Sequence, residues 1–177
     1  PSLRLGTADR KRIAPILEAM ERNALAVLLS AGQLQNTSFE VWAQNVEQES
    51  YGGRLLETVI ERSWQLLSPS DQNVLMQSTV FRGGFNIEAA EEVLQCDEDW
   101  VEDVLERLLD HSLLFVREGA SGSRFYLYES VRAFCVPRVD DGGFAPEFNA
   151  RYVAYFEHFA SALYMAIRRG TEQSPFD

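Results

Sequence analysis

Cysteine is almost missing from this chain of 177 residues, which holds only Cys96 and Cys135. Two thiols are too few for a disulfide framework and lack metal-ligand spacing, so a reducing, cytoplasmic setting is the natural reading. Histidine is equally scarce, at positions 111 and 158. His111 follows an expected helix end, where an imidazolium complements the negative pole, and His158 is expected to face water. Neither has partners at the spacing of a catalytic triad or metal centre. The longest apolar run, Ala24 to Leu29, is far shorter than the roughly 20 residues a bilayer-spanning helix needs. There is no signal-peptide pattern, and Pro1 in place of a methionine reads as the start of an excised piece of a longer protein. No G-x-x-x-x-G-K-[ST] occurs, so the chain has no phosphate-cradling loop and is expected not to be an enzyme. Its Gly-Gly pairs at 52, 83 and 142 read as turn formers, and Ser63, Ser112 and Ser130 as packing, cap or turn residues.

Positive charge is thin as well. Lys11 is the only lysine, and 16 Lys and Arg face 27 Asp and Glu, a formal net charge of −11. Nucleic acids and anionic membranes are held mainly through clustered Lys and Arg, so neither is the expected partner. A hydrophobic fraction of 46% with 24% charged residues is ordinary for a globular chain with a core. The length allows one large domain or two to three small ones.

Apolar periodicity predicts helix over Ala8 to Leu34, with Thr7 or Asp9 at its start, Pro15 in a first turn or kink and Gly32 as its stop. A shorter helix begins at Ser38 with Phe39, Val41, Trp42 and Val46 on its apolar side, and Glu47 to Gly53 reads as a polar connection. Arg54 to Leu67 carries a clean stripe of Leu56, Val59, Ile60, Ser63, Trp64 and Leu67. Ser68-Pro69-Ser70-Asp71 is a capping-box start for a fourth helix, which turns Val74, Leu75 and Ser78 inward. Asn86 caps the next one, which buries Ile87, Ala90, Val93 and Leu94. Asp97, Glu98 and Asp99 crowd the start of a helix that buries Val101, Val104, Leu105, Leu108 and Leu109.

Leu113 to Val116 and Arg124 to Tyr128 read as strands joined by a soft tip, Gly119 to Ser123. A short helix from Ser130 is expected to end at Pro137, and Asp140 to Gly143 to act as a linker. The closing helix, Pro146 to Arg169, sets Phe148, Tyr152, Tyr155, Phe156, Phe159, Leu163 and Ile167 at helical spacing. Three short helices followed by a hairpin are the layout of a winged helix. The fold class is therefore mainly α: a small helical domain over 1–49, a winged helix with a two-stranded hairpin over 53–139, and over 145–170 the first helix of a helical, TPR-like superhelix. Trp42, Trp64 and Trp100 are expected as core or interface anchors.

Three blocks carry a resemblance. Val80 to Val93 resembles an "F-x-GGF-x-x-x-AA-x-x-V" pattern, Leu105 to Leu114 an "L-x-x-L-V-D-x-SLL" passage, and Tyr126 to Phe134 a "Y-x-MLETIREYA" exit from the wing. All are found in bacterial members of the STAND class of signal-transduction NTPases, and with weaker likeness upstream the match covers about Leu5 to Leu163. The resemblance implies a regulatory, protein-interacting module lying after a nucleotide-binding domain that this chain lacks. In it the winged helix packs on that domain at rest and swings on activation, with an oligomer possible in the active state. The class carries a G-L-P-L proline and a Met-His-Asp histidine near nucleotide. Here those positions resemble Ala24, in Arg22-Asn23-Ala24-Leu25, and Tyr128, in Leu127-Tyr128-Glu129. The chain thus departs at both, no cofactor is expected in it, and ATP or ADP would belong to the full-length parent.

The alternative is a DNA-binding winged-helix transcriptional regulator. Against it stands the third helix of the fold: from Glu88 to Asp110 there are ten acidic residues and one basic one, Arg107. Duplex DNA carries one negative charge per roughly 1.7 Å of axis and repels such a surface. Glu102, Asp103 and Glu106 are therefore expected to form a docking face for a basic protein surface. Tyr152, Tyr155, Phe156 and Phe159 are expected to bind a partner or pack on the preceding domain.

Overall fold

The computed structural model of the chain describes residues 24–33, 41, 55–96, 100–119 and 122–168. Seven α-helices and one two-stranded antiparallel hairpin run through the described residues. They divide into two units. One holds α1 (Ala24–Gln33), α2 (Leu55–Gln65) and the Asp110–Leu113 turn, and the other runs from Leu67 to Leu109 and from Leu114 onward. The expected helix start near Thr7, Pro15, the Ser38 helix apart from Val41, the Glu47–Gly53 connection and the Asp97–Asp99 cluster lie outside the described residues.

In the first unit α1 packs on α2. Leu25, Ala26 and Leu29 are buried on one helix and Leu55, Val59 and Ile60 on the other. Ser63 is buried among them because its hydroxyl donates back to the Val59 carbonyl at 3.1 Å. Gly32, expected to stop the first helix, lies inside α1; a helical glycine costs only about 1 kcal/mol relative to alanine, which packing offsets. Ser112 sits at φ +56° in the Asp110–Leu113 turn, a turn residue as its sequence setting suggests.

The second unit begins at a cap. Ser68 Oγ accepts the Asp71 amide at 3.1 Å and Pro69 opens α3 (Pro69–Gln77), where its missing N–H leaves no bond unmade. A single 3-10 turn, Ser78–Val80, follows. Gly84, at φ +77°, then lets the backbone fold under the wing. Phe85 bridges Phe125 there with both amide hydrogen bonds, 2.9 and 2.7 Å. Asn86 caps α4 (Ile87–Val93) by accepting the Ala89 amide. α5 (Val101–Asp110) buries Val104, Leu105 and Leu108. The hairpin of β1 (Leu114–Gly119) and β2 (Gly122–Leu127) pairs Leu114 with Leu127 and Phe115 with Tyr126. Alternate residues take opposite faces, so Leu114 and Leu127 enter the core. Phe115, Tyr126 and Arg117 stand on the other side, the guanidinium 5.2 and 5.1 Å from the two rings. Pairing continues to Gly119 and Gly122, farther than the expected soft tip, and Ser123 donates to Glu118 at 2.7 Å across it.

Two expectations at the C-terminal end are overturned. Pro137 does not end its helix: α6 runs Glu129–Asp141 with Pro137 inside. The ring forfeits one backbone bond, but it is exposed while Cys135 and Val139 on either side are buried, and that burial carries the helix through. Asp140 to Gly143 is no linker either. The Gly143 amide donates to Asp140 and the Phe144 amide to Val139, both at 3.0 Å, with Gly143 at φ +69°. This is a Schellman cap, and α7 (Ala145–Arg168) starts directly after it.

Candidate functional site: the acidic third helix and its surroundings

α5 is the third helix of the winged layout, and its outward face carries Glu102, Asp103, Glu106 and Asp110, all exposed. Its one cation does not offset them. Arg107 turns toward the start of α3 and donates to Asp71 Oδ1 through Nε at 3.0 Å and Nη2 at 2.7 Å. Burial alone would raise the Asp71 carboxyl, but hydrogen bonds from Arg107 and Ser68 and the arginine's charge outweigh it and hold it below its usual value. The pair locks α3 to α5 and leaves the outer surface of α5 anionic.

A cleft of about 430 Å³ opens between the start of α4, α5 and the wing. Ile87, Leu109 and Phe125 give it apolar walls, and Glu88, Glu102 and Glu106 line it with carboxylates. The Asn86 side chain at its edge is occupied as the α4 cap.

α7 is tied to the same unit by a network around one arginine and by aromatic packing. Arg151 donates from Nε to the Val93 carbonyl at 2.9 Å, from Nη2 to Gln77 Oε1 at 2.8 Å and from Nη1 to Glu147 at 2.6 Å. Buried Gln77 is itself clamped to the Gln95 backbone, giving and accepting at 2.7 Å. Phe148 is buried beside this network, and Tyr152 meets Phe81 edge-on with centroids 5.5 Å apart. The expected aromatic stripe therefore divides. Its first turns pack on the winged helix, Tyr155 and Phe159 are half-buried, and Phe156 is 40% exposed. Partial burial pushes the Tyr155 phenol up, and Glu88 and Glu92 nearby add to the shift. The two sets of expected docking residues thus occupy separate places, one on α5 and one along α7.

Arg132 gives no sign of its role in the sequence, yet it is among the most deeply set polar side chains. It is 4% exposed and donates to the carbonyls of Thr79 and Phe81, the latter at 2.6 Å, fastening α6 to the end of the 3-10 turn. Trp100, expected as an anchor, is 79% exposed. It precedes the first turn of α5, where its carbonyl accepts the Val104 amide, off the buried stripe. Trp64 is half-buried, and Trp42 lies outside the described residues. Ala24 is exposed at the start of α1, and Tyr128 leans on Phe115 with centroids 4.6 Å apart. His111 is half-buried and His158 exposed. Burial pushes the Cys135 thiol up to about 12, a poor nucleophile. Among the described residues no three His, Cys, Asp or Glu come together as a metal site, and no helix is long and apolar enough to cross a membrane.

Residues 67–140 match a family model described as a winged helix-turn-helix domain, and they form one. Beyond that domain the likeness is distant. Two curated relatives, from Mycobacterium tuberculosis strain H37Rv and Mycobacterium bovis, bear the provisional name of HTH-type transcriptional regulator. Each is 24% identical over 177 aligned residues, covering 92% of this chain. The chain spans only 20% of the length of either relative.

Proposed function

We propose that the chain is the winged-helix portion of a longer transcriptional regulator, and that the domain works there by contacting protein rather than by gripping duplex DNA. The names of the mycobacterial relatives favour transcription regulation over the finer expectation of a signalling-ATPase module, which rests on the three resembling blocks alone. The observation that carries the protein-contact reading is the outward face of α5: four exposed carboxylates, with Arg107 turned away onto Asp71. In a winged helix that face would enter the major groove, between phosphates that repel it. A carboxylate face is instead complementary to a basic protein surface and repels wrong partners. The reading assigns no catalytic step and no cofactor to this chain.

Direct duplex binding is the second reading, favoured by the domain match itself. Retardation of a random-sequence duplex by the 177-residue chain separates the two. The protein-contact reading expects no complex even at low ionic strength, where cationic DNA-binding surfaces hold most tightly. A retarded complex that dissolves as salt is raised would overturn it.

A further inference from the structure

We infer that the cleft between α4, α5 and the wing is a docking groove for a short amphipathic cationic peptide segment, one with arginine or lysine on either side of a bulky apolar side chain. This rests on the protein-contact reading above and adds the chemistry of the partner and the place where it sits.

The walls come first. Ile87, Leu109 and Phe125 line the cleft and are only half-buried, so apolar surface remains for a ligand to cover. At about 430 Å³ the space falls within the range of roughly 300–1,000 Å³ typical of ligand pockets. It suits one or two inserted side chains of an extended segment better than a flat protein surface.

Charge then selects the segment. Glu88, Glu102 and Glu106 are exposed at the cleft, and none is in an ion pair among the described residues. No Lys or Arg lines the cleft. Arg124 on the wing donates instead to the Gly84 carbonyl at 2.8 Å. An anionic ligand would meet three unpaired carboxylates and no cation. The start of α4 gives it no foothold either, because Asn86 already holds the Ala89 amide. An apolar ligand without charge would leave the carboxylates unused. A segment carrying both properties satisfies walls and rim together, and steers to the cleft from a distance.

Fluorescence anisotropy on the 177-residue chain tests this with three labelled, end-blocked decapeptides: alternating Arg and Leu, alternating Arg and Ser, and alternating Glu and Leu. The Arg/Leu peptide is expected to bind at least tenfold more tightly than either of the others. The triple variant E88Q/E102Q/E106Q should weaken it tenfold or more, and S123W, which adds bulk at an exposed lining position, should do the same without touching charge. E91Q, which removes an exposed α4 carboxylate that does not line the cleft, should leave affinity within twofold. Circular dichroism of each variant, matched to the parent spectrum, confirms that the comparisons are between folded proteins. Equal binding of the Arg/Ser peptide, equal loss in E91Q, or no binding of the Arg/Leu peptide would each overturn the inference. The duplex retardation assay is scored separately. Absent peptide binding with absent duplex binding sinks the groove alone, whereas duplex binding sinks the protein-contact reading beneath it.

Discussion

Replacing Arg151 by methionine isolates what holds α7 to the winged helix. Methionine keeps an unbranched apolar stem beside Phe148, whose ring lies 5.3 Å from the guanidinium carbon, but removes every donor. Two of the three bonds made by this side chain reach other elements, at the Val93 carbonyl and at Gln77 Oε1. Hydrogen bonds to a charged group contribute roughly 1.5–3 kcal/mol each, but the two losses are unequal. Gln77 Oε1 keeps the Gln95 amide at 2.7 Å, so most of the cost falls on the Val93 carbonyl, and the sum is about 2 kcal/mol. The third bond joins Glu147, whose side chain is 64% exposed, and such a helical pair is worth only about 0.2–0.5 kcal/mol. E147Q is the matched control. Urea unfolding should place R151M about 2 kcal/mol below the parent and E147Q within about 0.5. Hydrogen exchange should quicken most in the first turns of α7 and least in α3 and α5. An R151M variant as stable as E147Q, or exchange that quickens evenly across the domain, would show that the aromatic contacts alone dock α7 and that the arginine network adds nothing.

Three further perturbations address the domain itself. R132M strands the Thr79 and Phe81 carbonyls and should cost about 3 kcal/mol in denaturant midpoint experiments, at ~1–3 kcal/mol per buried unpaired group; R132K, lacking the planar fork, should recover less than half. G84A should cost more than about 2 kcal/mol, because φ there is +77° and a Cβ would lie 2.8 Å from the Phe125 carbonyl and 2.6 Å from the Tyr126 ring. G83A, where a Cβ meets nothing within 4 Å, should change thermal stability little. For Asp71 the folded carboxyl is held below its ordinary value, so its contribution is complete above the unfolded value of about 3.9 and vanishes as pH falls through the lower folded one. Urea midpoints compared between pH 6 and pH 2 should therefore drop more steeply for the parent than for D71N, and parallel curves would refute the assignment.

What could be read from residue order was what residues decide locally. Ser68, Pro69 and Asn86 act within four positions of themselves, and each cap forms as its type and place imply. The hairpin and the acidic third helix are likewise properties of short windows. The partners of Arg132, Arg151 and Arg107 lie 51, 58 and 36 positions away, and no window reveals which of fifteen arginines will reach across to another element. Pro137 misled because its helix-breaking tendency is local, while the burial of Cys135 and Val139 that overrides it is tertiary. Asp140 to Gly143 misled for a related reason: glycines after acidic residues look the same in a linker and in a Schellman cap, and only the buried side chains before them and the helix after them decide. On α5, counting charges in order understated how acidic the outer face is, because the single cation is withdrawn onto Asp71.

That withdrawal gives the two readings of the domain opposite signs in one measurement. A surface bearing Glu102, Asp103, Glu106 and Asp110 attracts a cationic protein segment and repels phosphate. Salt screens either effect over about 10 Å at 0.1 M. Affinity for a basic partner must then fall as salt rises. Any residual contact with duplex through α5 must strengthen, because screening removes a repulsion. A duplex-binding surface built on arginine releases counterions, and its affinity falls steeply over the same range. R107M sharpens the contrast. Its guanidinium is already engaged by Asp71, so removing it should cost stability through that pair yet leave the salt dependence of partner binding unchanged. If R107M instead altered that slope, Arg107 would be facing the ligand and not Asp71, and the electrostatic account of α5 would fail at its root.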